Sequence, residues 1–475
     1  MSRIVKFLLL AMPLLAATAL AQAADSGNPI VMRGGGRFGD VTVYRPSGPV
    51  KSVVLFVSGD GGWHLGVTSM AKHLADDGSL VVGVDVRHYL AQIGAAGDRC
   101  VSLAGDFEQL SHDIQKTLKL PGYVSPMLVG YSSGATVVYA ALAQAPPGTF
   151  AGAMSLGFCA DQDFRKAMLC PGLRYTVNTR GDYVLEPNRS LQDPWIALQG
   201  QQDQVCDPAA VDRFAAQVPS AEVLRLPKVG HGFGVERNWL PQFRDAAFKL
   251  QSAAMPAPLP AAQPASISGL PLVDVPAQGA ASAATQNLMA VILSGDGGWA
   301  GLDRQVAAEL SRKGIPVVGM DSLRYFWHEK TPDETARDVS AVVKHYGALW
   351  RRSRVVLIGY SFGADVLPFV VNRLPADSAA RVAGVALLEP SDSATFEIHV
   401  SNWLPGVTTD GLDLGPELAR MTPALLCLHG GDIAGSICRR ARRAEVAQVG
   451  KGHHLGGDAG AITDHVLALL KGTSG

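Results

Sequence analysis

The fold is decided by the stretch Val355-Val356-Leu357-Ile358-Gly359-Tyr360-Ser361-Phe362-Gly363-Ala364, in which an apolar strand runs directly into G-x-S-x-G. That pattern is a nucleophile elbow, a tight strand-to-helix turn that lifts a serine hydroxyl out of a sheet. Glycines flank the serine because a Cβ there would collide with the neighbouring strand and helix. The N-terminus of the following helix favours the negative charge that develops during acyl transfer. We therefore predict that Ser361 is a nucleophile.

The same pattern occurs earlier in the chain, which indicates an internal repeat. Residues 127–135 read MLVGYSSGA, so Ser132 takes the place of Ser361. The run SGDGGW occurs at 58–63 and again at 294–299, and in each copy a later apolar strand ends in an aspartate, Asp85 or Asp321. Apolar strands alternate with helical segments, as in a parallel sheet covered on both faces. The sequence predicts an α/β fold of two tandem α/β-hydrolase-like domains, each a mostly parallel doubly wound sheet.

The predicted domain boundaries follow from the pattern of the first residues and from the composition between the two copies. Arg3 and Lys6 precede an apolar segment, Phe7–Leu20, and a small-residue site, Ala21-Gln22-Ala23, which is the pattern of a cleaved export signal. A Pro- and Ala-rich run between the copies predicts an exposed linker. We predict a signal peptide at 1–23, a first domain at 30–251, a linker at 252–286 and a second domain at 287–475. Export from a bacterial cell leads to the periplasm or the medium, and we predict a periplasmic protein.

Composition fits this picture and excludes some other functions. The chain has 475 residues, of which 47% are hydrophobic, enough for two buried cores. The formal net charge is -1 with both signs mixed, so a nucleic-acid partner is not expected. No C-x-x-C or His-rich spacing suggests a metal, and no cofactor motif occurs.

The six cysteines predict disulfides within each half, because an exported chain meets oxidising conditions. Cys427 and Cys438 form the one possible pair in the second half. In the first half we favour Cys159–Cys170, which leaves Cys100–Cys206, although four cysteines permit three pairings.

Both copies contain the partners that a nucleophilic serine needs, a histidine base and a carboxylate that orients it. In α/β-hydrolases the chain order is serine, acid, histidine, each on a loop at the carboxyl end of a strand. The first copy supplies Ser132, Asp203 and His231, and the second supplies Ser361, Asp432 and His453. Asp432 lies one position nearer the first glycine of its loop than Asp203 does. His453 aligns with His231, and His454 is the alternative base.

The SGDGGW loops follow the strand that normally supplies the oxyanion hole, and their backbone N–H groups suit a developing oxyanion. Asp60 and Asp296 either cap the next helix or bind a cationic group of the substrate. Trp63 and Trp299 either wall the pocket, where an indole face attracts ammonium, or pack in the interior. Asp321 and the aromatic run Arg324-Tyr325-Phe326-Trp327 form either a substrate rim or an ordinary covering loop.

Four motifs of the second half resemble the bacterial virulence protein VirJ family: SGDGGW at 294–299, DxxRYFW at 321–327, GYSFGAD at 359–365 and GHH at 452–454. The tandem arrangement with a signal peptide resembles the longer, AcvB-type members. The resemblance implies a periplasmic serine esterase that hydrolyses lysyl-phosphatidylglycerol to phosphatidylglycerol and lysine at the outer leaflet of the inner membrane. The alternative it implies is a non-catalytic factor that binds type IV secretion components or their substrates.

The implied lysyl group carries two ammonium groups, for which Asp296, Asp321 and Asp365 are candidate partners. Asp365 lies in the helix after the elbow, where its alternative role is to complement the helix dipole. We favour Ser361 as the main nucleophile because the second half carries the fuller set of motifs. The first half is then a second centre or a relic.

Overall fold

The computed structural model describes residues 28–64, 66–95, 100–254, 266–398 and 411–471; the predicted signal peptide lies outside them. The first domain is built around an eight-stranded sheet with the order β1-β2-β4-β3-β5-β6-β10-β11, in which β2 runs antiparallel to both of its neighbours and the other pairings are parallel. Its elements are β1 Ile30–Met32, β2 Val41–Tyr44, β3 Ser52–Val57, α1 Gly66–Asp76, β4 Ser79–Val84, α2 Val86–Ala95, α3 Leu103–Thr117, β5 Met127–Tyr131, α4 Ser133–Gln144, β6 Gly152–Leu156, β7 Asp161–Gln162, β8 Tyr175–Val177, β9 Tyr183–Leu185, β10 Trp195–Gly200, α5 Pro208–Ala215, β11 Ala221–Leu226 and α6 Leu240–Ala254. Strands β7, β9 and β8 form a separate small antiparallel sheet.

The second domain repeats this plan around a seven-stranded sheet with the order β12-β14-β13-β15-β16-β19-β20, in which β12 alone is antiparallel. Its elements are β12 Leu272–Val275, β13 Leu288–Leu293, α7 Gly301–Arg312, β14 Val317–Met320, α8 Ser322–Tyr325, α9 Pro332–Leu349, β15 Arg354–Tyr360, α10 Phe362–Val371, α11 Ala376–Ala379, β16 Val382–Leu388, β17 Ser393–Ala394, β18 Leu412–Asp413, α12 Leu414–Arg420, β19 Leu425–His429, β20 Ala444–Gln448 and α13 Ala459–Lys471. The predicted fold of two tandem doubly wound domains is confirmed.

Burial explains why these sheets are parallel. Every residue of β3, β4, β6 and β10 is buried, and so is every residue of β13 and β14. Such strands need helices on both faces, which the crossover connections of a parallel sheet supply. The elbow strands lie in the middle of their sheets. Strand β5 lies between β3 and β6, and strand β15 lies between β13 and β16. The carboxyl ends of these strands therefore meet at one edge, where ligands bind in open α/β sheets.

The structure differs from the predicted linker at its C-terminal part. Residues 255–265 of the predicted linker lie outside the described residues, but Leu272–Val275 is β12, the edge strand of the second sheet. Ile267, just before it, is fully buried in the second core. The strand escaped detection because it has only four residues and stands beside Pro271 and Pro276. It occupies the position that β2 has in the first sheet.

Three disulfides are present, and two differ from the predicted pairs. Cys427–Cys438 is confirmed, whereas the favoured Cys159–Cys170 and its leftover Cys100–Cys206 are wrong. The bonds are Cys100–Cys170 and Cys159–Cys206. Cys159 follows β6 and Cys206 follows β10, and these strands are adjacent in the sheet, so their C-terminal loops meet. Spatial adjacency of strands, rather than closeness in sequence, selects the pair.

The first domain packs on the carboxyl edge of the second. The indole N–H of Trp327 donates to the Leu120 carbonyl at 2.9 Å, and Lys116 pairs with Glu397 at 3.0 Å. Tyr123, between α3 and β5, belongs to the buried core of the second domain and contacts the Trp327 ring at 5.5 Å between centroids. Helix α3 and the segment after it therefore cover the face on which Ser361 lies. Among the described residues, no helix is both long enough and apolar enough to cross a membrane.

Candidate active sites

Two nucleophile elbows are present, one in each domain. Ser132 has φ 55° and ψ -121°, and Ser361 has φ 50° and ψ -117°, a backbone conformation that side chains rarely adopt. A Cβ at Gly130 would lie 2.1 Å from the carbonyl oxygen of Gly134, and a Cβ at Gly359 would lie 2.4 Å from that of Gly363. Only glycine fits the turns that hold these strained serines.

The first domain brings together all three predicted catalytic residues. Ser132 Oγ lies 2.8 Å from His231 Nε2, and His231 Nδ1 lies 2.9 Å from Asp203 Oδ2. The Asp203 side chain is fully buried. Serine, base and acid thus form one continuous hydrogen-bonded chain, the arrangement that moves a proton from the serine and stabilises the resulting imidazolium.

Backbone amides hold the acid of this triad in its charged form. Asp203 Oδ1 accepts from the N–H of Val205 at 2.8 Å and of Cys206 at 2.9 Å, and Oδ2 accepts from Gln199 Nε2 at 3.1 Å. Burial acts to raise the pKa of Asp203, but the bonds from Cys206, His231 and Val205 outweigh it and lower the pKa. The carboxylate is therefore ionised at neutral pH.

The second domain brings together the serine and the base. Ser361 Oγ lies 2.8 Å from His453 Nε2. His454 instead contacts the Tyr360 hydroxyl through Nδ1 at 2.7 Å, and the same hydroxyl donates to the His453 carbonyl at 3.2 Å. In the first domain Tyr131 makes the matching bond to the His231 carbonyl at 3.0 Å. The tyrosine of each elbow thus fixes the histidine loop, and His453, not His454, faces the nucleophile.

The structure does not bring Asp432 to this pair. Its side chain is exposed, and Oδ1 accepts from the N–H of Ala434 at 2.8 Å, two residues along its own loop. The one-residue offset noted in the sequence is the physical reason, because it turns the carboxylate outward. Within the described part of the chain, no carboxylate is hydrogen-bonded to His453.

A different acid stands at the end of a neighbouring strand. Glu389 follows β16 with φ 55°, and its N–H donates to the Leu428 carbonyl at 2.8 Å. Gly157 takes this place in the first domain, with φ 63° and a bond to the Leu198 carbonyl at 3.1 Å. The sequence reasoning missed Glu389 because it sought the acid only on the later loop. The signal available was a charged residue directly after the strand next to the elbow.

The SGDGGW loops lie against the nucleophiles. A Cβ at Gly59 would lie 3.1 Å from Ser132 Cβ, and one at Gly295 would lie 3.6 Å from Ser361 Cβ. Ser133 and Phe362 are the first residues of α4 and α10, where backbone N–H groups have no partner within the helix. Loop and helix start can therefore place N–H donors on an oxyanion.

Trp299 and Asp321, predicted to bind substrate, have structural positions instead. The Trp299 ring lies over Gly319, where a Cβ would come within 2.4 Å of it, and the residue is only 7% exposed. Asp321 caps α8 by accepting from the N–H of Arg324 at 3.1 Å and is 8% exposed. Trp327 of the predicted rim is buried at the domain contact. Trp299 therefore has the packing role that was one of its two predicted alternatives, whereas Asp321 caps a helix, a role that the sequence did not predict.

Asp296 and Asp365, in contrast, lie in segments next to Ser361, because Asp296 follows Gly295 in the loop against the serine and Asp365 is in the first turn of α10. Asp365 accepts from the N–H of Ser391 at 2.7 Å; burial raises its pKa to about 7, with the charges of Asp296 and Asp392 adding to the effect. Glu108 of α3 in the first domain reaches the same place, since a Cβ at Gly297 would lie 3.2 Å from its Oε1. Burial and the charge of Asp296 raise the pKa of Glu108 to about 8. We call Glu108, Asp296 and Asp365 the acidic pocket.

The sequence reasoning missed Glu108, and no local motif marks it, because it approaches from the other domain. One group of described residues has the spacing of metal ligands: Asp203, Cys206 and His231. Two of these form the first triad and Cys206 is in a disulfide, so the donors are already committed.

The chain is similar to a known protein family and to several solved structures. The family described as "Bacterial virulence protein (VirJ)" matches residues 51–160 and 287–473. No curated protein sequence matches the chain. Similar solved structures include Est1E from Butyrivibrio proteoclasticus (11% identity, TM-score 0.34, 48% of this chain and 100% of that one). Others are a lidless α/β serine hydrolase from Xanthomonas campestris (21%, 0.34, 48% and 97%) and an α/β serine hydrolase homologue from Coxiella burnetii (18%, 0.32, 49% and 99%). Each covers about half of this chain.

Proposed function

The chain belongs to the VirJ family of bacterial virulence proteins, and from that premise we propose that it is a serine esterase that hydrolyses the aminoacyl ester of lysyl-phosphatidylglycerol. The observation that carries the proposal is a Ser361–His453 contact of 2.8 Å beside an acidic pocket. The contact supports acyl transfer, and the pocket supports a cationic acyl group.

The residues of the second site divide the reaction between them. Ser361 Oγ attacks the ester carbonyl while its proton passes to His453 Nε2. N–H groups of Phe362 and of the loop at Gly295 bind the oxyanion. The bond to the phosphatidylglycerol oxygen breaks and that oxygen takes the proton from His453. Water, activated by the same base, then releases lysine from the acyl-serine.

The acidic pocket supports the choice of a lysyl group over a neutral acyl chain. No hydrogen bond or ion pair engages the Glu108 carboxylate in the described part of the chain, and its raised pKa reflects burial without a compensating cation. An ammonium group placed there would neutralise it and favour its ionised form. Asp365 and Asp296 provide further partners for the second ammonium of a lysyl ester. The pocket of the first domain lacks this character, because Thr136 stands where Asp365 does and Arg87 lies beside the loop at Gly62.

The compartment is part of the proposal. An exported protein in the periplasm would meet lysyl-phosphatidylglycerol at the outer leaflet of the inner membrane. The three disulfides support an oxidising compartment.

The test measures release of lysine from lysyl-phosphatidylglycerol in detergent micelles by the purified chain. We expect Ser361→Ala to reduce the rate about 1,000-fold or more, and Ser132→Ala to leave most of it. Full activity in Ser361→Ala would move the reaction to the first centre.

A fluorophosphonate probe separates catalysis from the binding alternative. Labelling of Ser361 or Ser132 in the folded protein is expected of an esterase. A folded protein labelled at neither serine would contradict the esterase and favour a factor that binds type IV secretion components.

A further inference from the structure

The second site has a serine and a base, but among the described residues no carboxylate is hydrogen-bonded to that base, as a histidine base needs for orientation and charge. Asp432 is exposed and bonded to its own loop. We propose that Glu389 is the positioning residue of His453, so that the second triad takes its acid from the strand next to the elbow. This role presupposes the hydrolase activity proposed above.

The first domain shows where a side chain at this position points. Gly157 is the counterpart of Glu389. Each residue directly follows the strand next to the elbow strand of its domain, has a positive φ and donates its N–H to the next strand of its sheet. A Cβ at Gly157 would lie 3.2 Å from both Cε1 and Nδ1 of His231 and 3.6 Å from Asp203 Oδ2. A side chain at this position therefore begins beside the ring nitrogen that the acid of a triad must reach.

The surroundings of the two carboxylates also correspond. In the first domain the buried strand residue Gln199 donates to Asp203 Oδ2 at 3.1 Å. In the second domain the equivalent residue, His429, has Nδ1 3.8 Å from Glu389 Oε2. Gln199 follows Leu198, whose partner in the next strand is Leu156, and His429 follows Leu428, whose partner is Leu388. The two residues therefore have equivalent positions in their sheets. Glu389 Oε2 therefore lies near the strand residue whose counterpart in the first domain donates to the acid of the triad.

Backbone support is present as well. Glu389 Oε1 accepts from the N–H of Gly430, much as Asp203 accepts from loop amides. Gly430 in turn accepts from the N–H of Gly452 at 2.9 Å, directly before His453. The glutamate side chain is 16% exposed, so its charge is only partly screened. Through Gly430 and Gly452 the carboxylate also fixes the loop on which the base stands.

The positive φ of Glu389 also supports a functional role for its side chain. A non-glycine residue in this conformation carries backbone strain, and such strain persists where a side chain has a task. Glycine, present at 157, would remove the strain. Stability therefore favours glycine at 389, and the glutamate needs another reason to be there.

The experiment uses the full chain with Ser132→Ala, so that a fluorophosphonate probe reports on Ser361 alone. Three further substitutions are compared: Glu389→Gln, Glu389→Gly and the control Asp432→Asn. We expect both Glu389 variants to label about 100-fold or more slowly, and Asp432→Asn to label within about twofold of its parent. Glu389→Gly is expected to melt at or above the temperature of its parent, which separates lost activity from lost folding.

The pH dependence distinguishes positioning from a merely structural role. Loss of a nearby negative charge disfavours the protonated imidazole, so the midpoint of the labelling rate against pH should fall by about one unit in Glu389→Gln. It should stay fixed in Asp432→Asn. Slower labelling with an unchanged midpoint would overturn the proposal, and so would parent-like labelling of Glu389→Gln. If the parent itself is not labelled at Ser361, the second centre is inert and the proposed function fails with it.

Discussion

The two domains share an elbow and a serine–histidine contact of 2.8 Å, yet they surround it differently. In the first domain the fully buried Asp203 is hydrogen-bonded to His231, and Arg87 lies beside the SGDGGW loop at Gly62. In the second, His453 is exposed and the nucleophile faces an acidic pocket completed by Glu108 of the other domain. The scaffold has been kept while residues at the strand ends diverged. The first site has the more complete chain of hydrogen bonds, and the second has more acidic side chains near its serine.

The largest effect should come from the acid of the first triad. In a Ser361→Ala background, Asp203→Asn should slow fluorophosphonate labelling of Ser132 by about 1,000-fold or more, because the asparagine cannot stabilise an imidazolium. Labelling rates measured by mass spectrometry check this. A loss smaller than about tenfold would mean that the complete triad of the first domain is not what activates its serine.

Exchanging the position of the acid should restore part of that loss. Asp203→Ala removes the first acid and opens space, and adding Gly157→Glu supplies a carboxylate from the position that Glu389 has. We expect the double variant to label about tenfold faster than Asp203→Ala alone, provided that a melting curve shows it folded. Gly157→Gln in the same background is the matched control. Equal rates for the two would break the equivalence of positions 157 and 389.

The acidic pocket should make the second centre selective for amines in a pH-dependent way. Butylamine, whose ammonium keeps its charge up to a pH of about 10 as lysine does, should protect Ser361 from labelling. The pKa values of Glu108 and Asp365, about 8 and about 7, mean that both ionise as the pH rises. Protection should therefore strengthen about tenfold from pH 6 to pH 9. Glu108→Gln should flatten that rise, whereas protection of Ser132 should not change with pH in this manner.

The smallest expected effect concerns stability. The folded pKa of Glu108, about 8, lies above the ordinary value of 4.5, so the folded chain binds a proton that the unfolded chain releases. This costs stability increasingly as the pH rises from about 4.5 to 8 and nothing below that window. Because the residue is partly exposed, we expect Glu108→Gln to stabilise the protein by about 1 kcal/mol at pH 8. Urea unfolding at pH 4 and pH 8 checks this; equal gains at both would contradict it.

Sequence predicted the scaffold well because its signals are local. An apolar strand that runs into G-x-S-x-G has few other structures open to it, and the repeated loop SGDGGW marked the same turn twice. Asp203 and His231 followed from chain order, since each stands at the end of a strand. Cys427–Cys438 followed because its half offered one pair.

The parts that sequence did not predict depend on contacts between segments distant in the chain. Glu108 reaches the second site from another domain, and Cys159 bonds to Cys206 because β6 and β10 are neighbours in space. Trp299 was open to two interpretations, and the glycine at 319 that receives its ring lies twenty positions later. The spacing of apolar residues predicts local helices and strands but not contacts between distant segments. The sequence does contain a signal for Glu389: when the two copies are aligned residue by residue, a glutamate at 389 stands where the first copy has a glycine at 157.

Tyr123 has a consequence for how the duplicated chain can come apart. Its ring is 7% exposed and forms part of the apolar interior of the domain to which it does not belong. Separating the halves would uncover this ring and the indole of Trp327 together, and would take Glu108 away from the neighbourhood of Ser361. The ancestral copies have thus become mutually dependent, and heating should melt them in a single cooperative step rather than one after the other.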